Sequence, residues 1–309
     1  MSASTLSSLP KRVKVCEMGP RDGLQNESGV VPAADKIRFI DLLSSSGLAT
    51  IETTSFVRPH AIAQLSDAEE VMAGIERRPG VTYLCLVPNR RGLERARTAG
   101  VHSIAVFTAA SEAFTKANIN MTIDESLAAF RDIVKAARAD GMWVRGYVST
   151  AFGCPYEGAV AIERVLRVAS ALAEMGVDEV SIGDTIGVAT PNAVVDVAGM
   201  LQAHMPVERL AMHFHDTRGV ALANVVAALQ MNVAIFDSSA GGLGGCPYAP
   251  GATGNLATED LLYMLDGMHI ETGVSLDAVR AATRFVSGVL GRDVPSRAYR
   301  ALEAAAARA

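Results

Sequence analysis

Cysteine is scarce in this 309-residue chain, and the few cysteines present do not form a motif. Cys16, Cys85, Cys154 and Cys246 lie far apart, with no Cys-x-x-Cys pair among them. The sequence therefore predicts neither a disulfide framework nor a thiolate zinc site, and this cysteine usage fits a reducing cytosol.

Three other absences narrow the class of protein. No run of about 18 uncharged apolar residues occurs, so we expect no membrane-spanning segment. The net charge of −5 includes no basic block, which speaks against a nucleic-acid partner. Residues 1–12 are serine-rich, without the apolar core or cleavage pattern of a signal peptide. We expect a disordered lead-in there and a cytoplasmic protein.

What the chain does contain is a regular alternation of short apolar runs and helical patterns, in a sequence that is 50% hydrophobic. The runs are apolar on both faces, as in parallel strands covered by helices. Eight of them predict a (β/α)8 TIM barrel, with a doubly wound open sheet as the alternative. The predicted strands are Val13–Glu17, Thr50–Thr54, Thr82–Val87, Ser103–Phe107, Trp143–Ser149, Glu179–Gly183, Leu210–Phe214 and Val233–Asp237.

The predicted helices lie between these strands, and two more follow them. We expect one barrel domain over residues 13–309, with helical additions from about residue 275 packed beside it. Asp124 is the predicted N-cap of one helix, and Pro191 the predicted first residue of another. The clearest helical patterns are Ala33–Ser46, Asp124–Ala139, Ile162–Met175, Leu222–Met231, Leu276–Leu290 and Arg297–Ala307.

Polar residues follow the first two strands, at the end of a barrel where catalytic groups lie. In the segment GPRDGLQNE, Arg21 could stabilise an oxyanion, and Asp22 could bind a metal or hold a proton. A solvated turn is the alternative for this segment. Glu52 lies within the apolar second strand, where a buried carboxylate must be paired, protonated or bound to something.

The sixth strand is followed by the segment SIGDT, which also offers polar side chains. Ser181, Asp184 and Thr185 are candidates for contact with a substrate. A helix cap or turn explains the same residue types equally well.

The seventh strand carries the pattern that most clearly predicts a metal site. His213 and His215 are two residues apart, so both imidazoles point to the same face of the strand, the barrel interior. Two imidazoles need oxygen partners to complete the shell of a divalent cation, and Asp22 and Asn255 are the candidates. The absence of thiolates favours Mg²⁺ or Mn²⁺. Asp237, after the eighth strand, is interpreted as structural.

Residues 241–255, GGLGGCPYAPGATGN, form the most glycine-rich segment. The third glycine of a dinucleotide fingerprint is missing, and no GK[ST] occurs, so neither phosphate cradle is predicted. Pro247 and Pro250 argue against both a simple linker and a helix. A hinged lid that carries the thiol of Cys246 fits the composition better, with an inert surface cysteine as the alternative.

Seven segments, taken in order, carry a family resemblance: VCEMGPRDGLQNE, ETTSFV, FTKANIN, GYVSTAFGCPYEG, SIGDTIGVATP, HFHDTRGVALANV and DSSAGGLGGCPYAPGATGNLATEDL. Together they resemble the 3-hydroxy-3-methylglutaryl-CoA lyase family, metal-dependent (β/α)8 lyases related to isopropylmalate and homocitrate synthases. The resemblance runs from about Val13 to Gly273 and is specific as a set.

The resemblance implies an acyl-CoA substrate, cleaved at a carbon–carbon bond to acetyl-CoA and acetoacetate, and a homodimer. It makes Arg21, Asp22, Glu52, His213 and Cys246 the catalytic candidates, with Cys246 as the proton-transfer thiol. The group that takes the hydroxyl proton stays open between Asp22, a histidine and Cys246. The implied cation ligands are Asp22, His213, His215 and Asn255, and the implied substrate contacts are Arg21, Glu52, Ser181 and Asp184.

The rim of the site departs from the family pattern. Arg58 and His60 replace a small polar residue and a lysine, and Arg218 replaces a tyrosine. These changes keep open a sibling lyase acting on a related thioester such as citramalyl-CoA, with the new arginines holding its carboxylate. A condensing synthase and a non-catalytic metal-binding barrel are the remaining alternatives.

Overall fold

The computed structural model describes residues 9–245 and 254–308. Within them, eight parallel strands close into a barrel in chain order, with the eighth strand paired to the first. The predicted TIM barrel is confirmed, and the open-sheet alternative is wrong. The strands are β1 Lys14–Glu17, β2 Thr50–Ser55, β3 Thr82–Leu86, β4 Ser103–Ala109, β5 Trp143–Ser149, β6 Glu179–Asp184, β7 Leu210–Phe214 and β8 Ile235–Ser238.

The helices of the described residues lie outside the barrel, except for short turns at its mouth. A π-helical turn, Gly19–Gly23, follows β1, and a 3-10 turn, Ala240–Gly242, follows β8. The helices are α1 Ala33–Ser44, α2 Ala68–Gly74, α3 Arg90–Thr98, α4 Glu112–Ile119, α5 Ile123–Ala139, α6 Ile162–Glu174, α7 Pro191–Gln202, α8 Ala221–Gln230, α9 Thr258–Gly267, α10 Leu276–Leu290 and α11 Arg297–Ala306.

Two predicted helix starts had different outcomes. Pro191 is the first residue of α7, as predicted. The prediction that Asp124 caps α5 is wrong, because the N-cap is Thr122. The Thr122 hydroxyl accepts from the Glu125 backbone at 3.1 Å, and the Glu125 carboxylate accepts from the Thr122 backbone at 2.8 Å. This reciprocal capping box leaves Asp124 within the first turn of the helix.

The strands bury apolar side chains on their outer face, whereas the barrel interior combines small apolar clusters with buried charged side chains. Outward residues such as Ile51 and Val144 belong to the main apolar core beneath the helices. Inside the barrel, the Arg145 guanidinium donates to Asp237 at 2.7 Å and lies 2.7 Å from Glu179. A buried charge is tolerated only when it is paired, so this interior depends on matched side chains from the neighbouring strand β6, which carries Glu179, and from β8 across the barrel, which carries Asp237.

The C-terminal helices pack beside the barrel. Helix α10 lies against α1 and α9, and α11 lies against α9. At the opposite end of the barrel from the site, the backbone of Val13 donates to the Glu271 carbonyl at 2.8 Å. Among residues 9–245 and 254–308, no helix combines the length and apolarity needed to cross a bilayer.

Candidate active site

A buried carboxylate, that of Glu17, lies where β1 pairs with β8 at the mouth of the barrel. Glu17 Oε1 accepts the backbone N–H of Gly19 and of Ala240, each at 2.8 Å. Its Oε2 accepts the Thr258 hydroxyl at 2.7 Å. Burial raises the pKa of Glu17 to about 7. This one side chain therefore ties the turn after β1 to the turn after β8.

The turn after β1 places Arg21 between two carboxylates. Arg21 Nε donates to Glu52 Oε2 at 2.6 Å, and Nη1 donates to Asp22 Oδ1 at 2.9 Å. Burial alone would lower the pKa of Arg21, but the charges of Glu52 and Asp22 raise it above its ordinary value. Arg21 is only 8% exposed, so the solvated-turn alternative does not hold. The guanidinium is a fixed cation at the barrel mouth.

Two residues of β5, which sequence reasoning missed, connect the Arg21–Glu52 pair to the barrel interior. The Tyr147 hydroxyl donates to the other oxygen of Glu52 at 3.1 Å. Arg145 Nη1 in turn donates to the Tyr147 hydroxyl at 3.3 Å. Arg145 and Tyr147 are two residues apart on one strand, the same spacing that identified the histidine pair. That spacing was the available signal.

The predicted metal ligands of β1 and β7 come together. Asp22, His213 and His215 each offer one ligand atom, and these atoms lie within 4.8 Å of one another. The two imidazole centroids are 5.2 Å apart. Asn255, the fourth predicted ligand, donates from Nδ2 to Asp22 Oδ2 at 2.8 Å. All four predicted ligands therefore lie at one place in the mouth of the barrel.

The polar atoms of this cluster fit a divalent cation. His215 Nδ1 and Asn255 Oδ1 are buried without a hydrogen-bond partner in the described part of the chain. Such orphaned atoms are rare unless a ligand or water satisfies them. Burial and the neighbouring His213 lower the pKa of His215 to about 4. Burial alone would raise the pKa of Asp22, but Arg21 and the histidines lower it to about 2. A carboxylate and a neutral imidazole are the forms that bind metals.

Asp237 lies beside the cluster, although its sequence position suggested only a structural role. Its Oδ2 lies 3.2 Å from His213 Nδ1. The Ser181 hydroxyl donates to the same oxygen at 2.9 Å. The predicted substrate contact Ser181 therefore does reach the site, but its hydroxyl is bound to a neighbouring carboxylate.

Asp184 and Thr185 hold the loop after β6. Asp184 accepts the backbone N–H of Val188 at 2.8 Å and of Ala189 at 3.1 Å. Burial raises its pKa to about 6. Thr185 accepts the backbone N–H of Thr150 at 2.8 Å. The geometry of both side chains matches the turn interpretation, and a substrate contact would have to share these hydrogen bonds.

The three altered rim residues differ in what they contact. Arg218 Nη1 donates to the carbonyls of Ile186 at 2.9 Å and Gly187 at 2.8 Å, so it fastens the loop after β6. The side chains of Arg58 and His60, on the loop after β2, are exposed. Of these three side chains, only those of Arg58 and His60 make no hydrogen bond within the described residues, and both are exposed to an incoming ligand.

Cys246 lies outside the described residues, but the two stems of its segment are described. Asn255 Nδ2 also donates to the Leu243 carbonyl at 3.0 Å. A Cβ at Gly254 would lie 2.5 Å from the Gly242 carbonyl oxygen and 2.6 Å from that of Gly244. The stems therefore meet beside Asp22 at a point that admits only glycine.

Comparison with known proteins gives a consistent result. A family model described as HMGL-like matches residues 12–286. The mitochondrial hydroxymethylglutaryl-CoA lyase of Bos taurus is 52% identical over 301 residues, which cover 97% of this chain and 93% of the bovine protein. Hydroxymethylglutaryl-CoA lyase YngG of Bacillus subtilis is 51% identical over 288 residues, covering 93% of this chain and 96% of that protein. The crystal structure of hydroxymethylglutaryl-CoA lyase from Pseudomonas aeruginosa has a TM-score of 0.94 and 52% identity, covering 96% of this chain and 99% of that one.

Proposed function

This chain belongs to the HMGL-like family, and from that premise we propose that it is a carbon–carbon lyase that cleaves 3-hydroxy-3-methylglutaryl-CoA to acetyl-CoA and acetoacetate. Hydroxymethylglutaryl-CoA lyases about half identical to it over nearly its whole length support this substrate. The observation that carries the proposal is the cluster of Asp22, His213 and His215 beside the fixed cation Arg21.

The cluster is where a divalent cation would be held, by Asp22, His213, His215 and Asn255. Bound there, it supplies a Lewis acid that lowers the pKa of the substrate's tertiary hydroxyl and orients the carbon–carbon bond. These oxygen and nitrogen donors suit Mg²⁺ or Mn²⁺.

Side chains of the protein stabilise the charge that develops on the enolate and transfer the protons. When the carbon–carbon bond breaks, its electron pair moves to the departing acetyl-CoA as an enolate, and the ketone of acetoacetate forms. Arg21, held by Glu52, is preorganised to stabilise the enolate oxygen. Cys246 is proposed to donate the proton that converts the enolate carbon to the methyl group of acetyl-CoA. The hydroxyl proton leaves to a base in the same site, and Asp22, a histidine and the Cys246 thiolate are the candidates.

The sibling substrate citramalyl-CoA is less favoured. Its support was the altered rim, where an arginine could hold a differently placed carboxylate. Arg218 Nη1 is bound to two carbonyls of the loop after β6, which fixes the side chain against that loop but leaves Nε and Nη2 as donors for a carboxylate. What disfavours this alternative is the roughly 50% identity to hydroxymethylglutaryl-CoA lyases over nearly the whole chain.

The test is a coupled assay that detects acetyl-CoA. Purified protein receives Mg²⁺ or Mn²⁺ and either hydroxymethylglutaryl-CoA or citramalyl-CoA, with EDTA-treated enzyme and His215→Ala as controls. We expect cleavage of the first thioester, abolished by EDTA and restored by metal. Preferential cleavage of citramalyl-CoA would establish the sibling activity instead. Metal binding without cleavage of either thioester would overturn the lyase assignment.

Three finer statements are also proposals. We infer a homodimer, a cytoplasmic location and a role in leucine catabolism or a similar acyl-CoA route. The hydroxymethylglutaryl-CoA substrate supports the last of these, and size-exclusion chromatography with light scattering tests the first. The division into a lead-in over residues 1–12 and a barrel domain over residues 13–309 is a proposal of the same kind.

A further inference from the structure

We propose that Asp237 is the positioning residue for the metal cluster: it fixes the orientation and the tautomer of His213, so that the second ring nitrogen faces the cation. The inference rests on the metal site of the proposed function, but it does not depend on which thioester is cleaved. It gives a specific role to a carboxylate that the sequence alone presents as structural.

The backbone places Asp237 and His213 side by side. They are direct partners in the register of the β7–β8 ladder, so their side chains point into the barrel from adjacent strands. His213 Nδ1 lies 3.2 Å from Asp237 Oδ2. A carboxylate can only accept, so the ring must carry its hydrogen on Nδ1 to make this bond. A neutral ring then has its lone pair on Nε2, free for a metal.

The orientation of Asp237 is itself fixed, because both of its oxygens are bound. Arg145 donates to Oδ1 at 2.7 Å, and the Ser181 hydroxyl donates to Oδ2 at 2.9 Å. Arg145 and Asp237 are both fully buried, and the cation keeps the carboxylate ionised where no water can solvate it. Such carboxylate–histidine pairs hold metal ligands in many sites.

A purely structural role for Asp237, as the counter-charge of Arg145, makes a different prediction. In that case, only the charge balance between Arg145 and Asp237 would matter, and the contact between Asp237 and His213 would have no effect on metal binding. Glu179 provides the comparison, since it is a second buried carboxylate that lies 2.7 Å from the same guanidinium. The hydrogen bonds of Glu179 go to Lys14 and away from the histidines. Glu179→Gln is therefore a matched control for Asp237→Asn.

The substitution Asp237→Asn should switch the tautomer of His213. An asparagine would keep its carbonyl oxygen toward Arg145 and present its NH₂ group to His213 Nδ1. The ring must then accept at Nδ1 and carry its hydrogen on Nε2, where it opposes a cation. We expect the affinity for Mn²⁺ to fall roughly 10- to 100-fold, the range seen when the outer partner of a ligating histidine is removed. Glu179→Gln should leave it close to the wild-type value, because Glu179 contacts Lys14 and Arg145 and no histidine.

The experiment needs no substrate. Mn²⁺ binding to the wild type and both variants is measured by calorimetry, and circular dichroism verifies their fold. In parallel, ¹⁵N NMR of metal-free wild type, recorded at a pH at which the histidine rings are neutral, should show His213 with its one ring hydrogen on Nδ1, a result that does not depend on any variant folding. Equal Mn²⁺ affinity in Asp237→Asn, or a neutral wild-type His213 with its hydrogen on Nε2, would overturn the inference. If thioester cleavage is absent but Asp237→Asn still weakens Mn²⁺ binding, only the proposed function fails.

Discussion

Replacing Glu17 by glutamine should remove a pH dependence from the stability of the protein. Glu17 is fully buried without a cationic partner at hydrogen-bonding distance among the described residues, and its pKa rises from 4.5 to about 7 on folding. Glutamine resembles the protonated form. Its carbonyl oxygen can accept from Gly19 and Ala240, and its NH₂ group can donate to the Thr258 hydroxyl, which in turn lies 2.8 Å from Ser238.

The magnitude follows from proton binding. As the pH rises above 4.5, the unfolded chain releases the Glu17 proton, whereas the folded protein retains it until about pH 7. The folded state then binds more protons, so the free energy of unfolding falls as the pH rises through this window. At about 1.4 kcal/mol per pH unit, wild type loses about 3 kcal/mol across it, a loss that Glu17→Gln does not share.

The assay is urea unfolding, followed by circular dichroism. The free energy of unfolding of Glu17→Gln minus that of wild type should increase by about 2–3 kcal/mol between about pH 5 and about pH 8. Glu174→Gln, on the exposed part of α6, is the control and should show a flat difference. A difference for Glu17→Gln that stays constant to within about 0.5 kcal/mol would refute the argument that Glu17 is held protonated in the fold.

Three further predictions concern the site. Cys246→Ala should lose most turnover while keeping its affinity for Mn²⁺, and a wild-type rate would remove the thiol from the mechanism. Arg21→Lys keeps the charge but not the planar fork that contacts Glu52, so kcat should fall roughly 10²- to 10³-fold in the acetyl-CoA assay; a change in KM alone would contradict a role at the enolate. Tyr147→Phe leaves one oxygen of Glu52 without its donor and should lower the free energy of unfolding by about 1–2 kcal/mol in urea. An unchanged free energy of unfolding would contradict this, and would mean that water donates to Glu52 in place of the Tyr147 hydroxyl.

The barrel could be predicted from the sequence because each strand and helix carries its own local pattern. The position of His213 and His215 could be predicted for the same reason, since alternation along one strand is local. Asp22 and Asn255 could be placed beside them only because strand ends of a barrel converge at one mouth.

The partners of the interior charges could not be predicted. Nothing near Asp237 in the chain indicates that it lies beside His213 or opposite Arg145, because such pairs depend on which strands face one another across the barrel. Likewise, Tyr147 reaches Glu52 only through the closed geometry of the barrel. The misplaced cap at Asp124 has a local cause instead, since acidic residues favour both the cap and the first turn.

The positions of the four proposed metal ligands along the chain have a consequence for how the protein folds. Asp22 follows the first strand, whereas its partner Asn255 follows the eighth, 233 residues later. No partly formed barrel contains the complete cation site, so full affinity for the metal requires that β1 and β8 have already met. A cation that binds this state more tightly than any earlier one stabilises it by mass action, and does little for the early steps of assembly. Metal uptake during refolding would therefore report the moment at which the barrel closes.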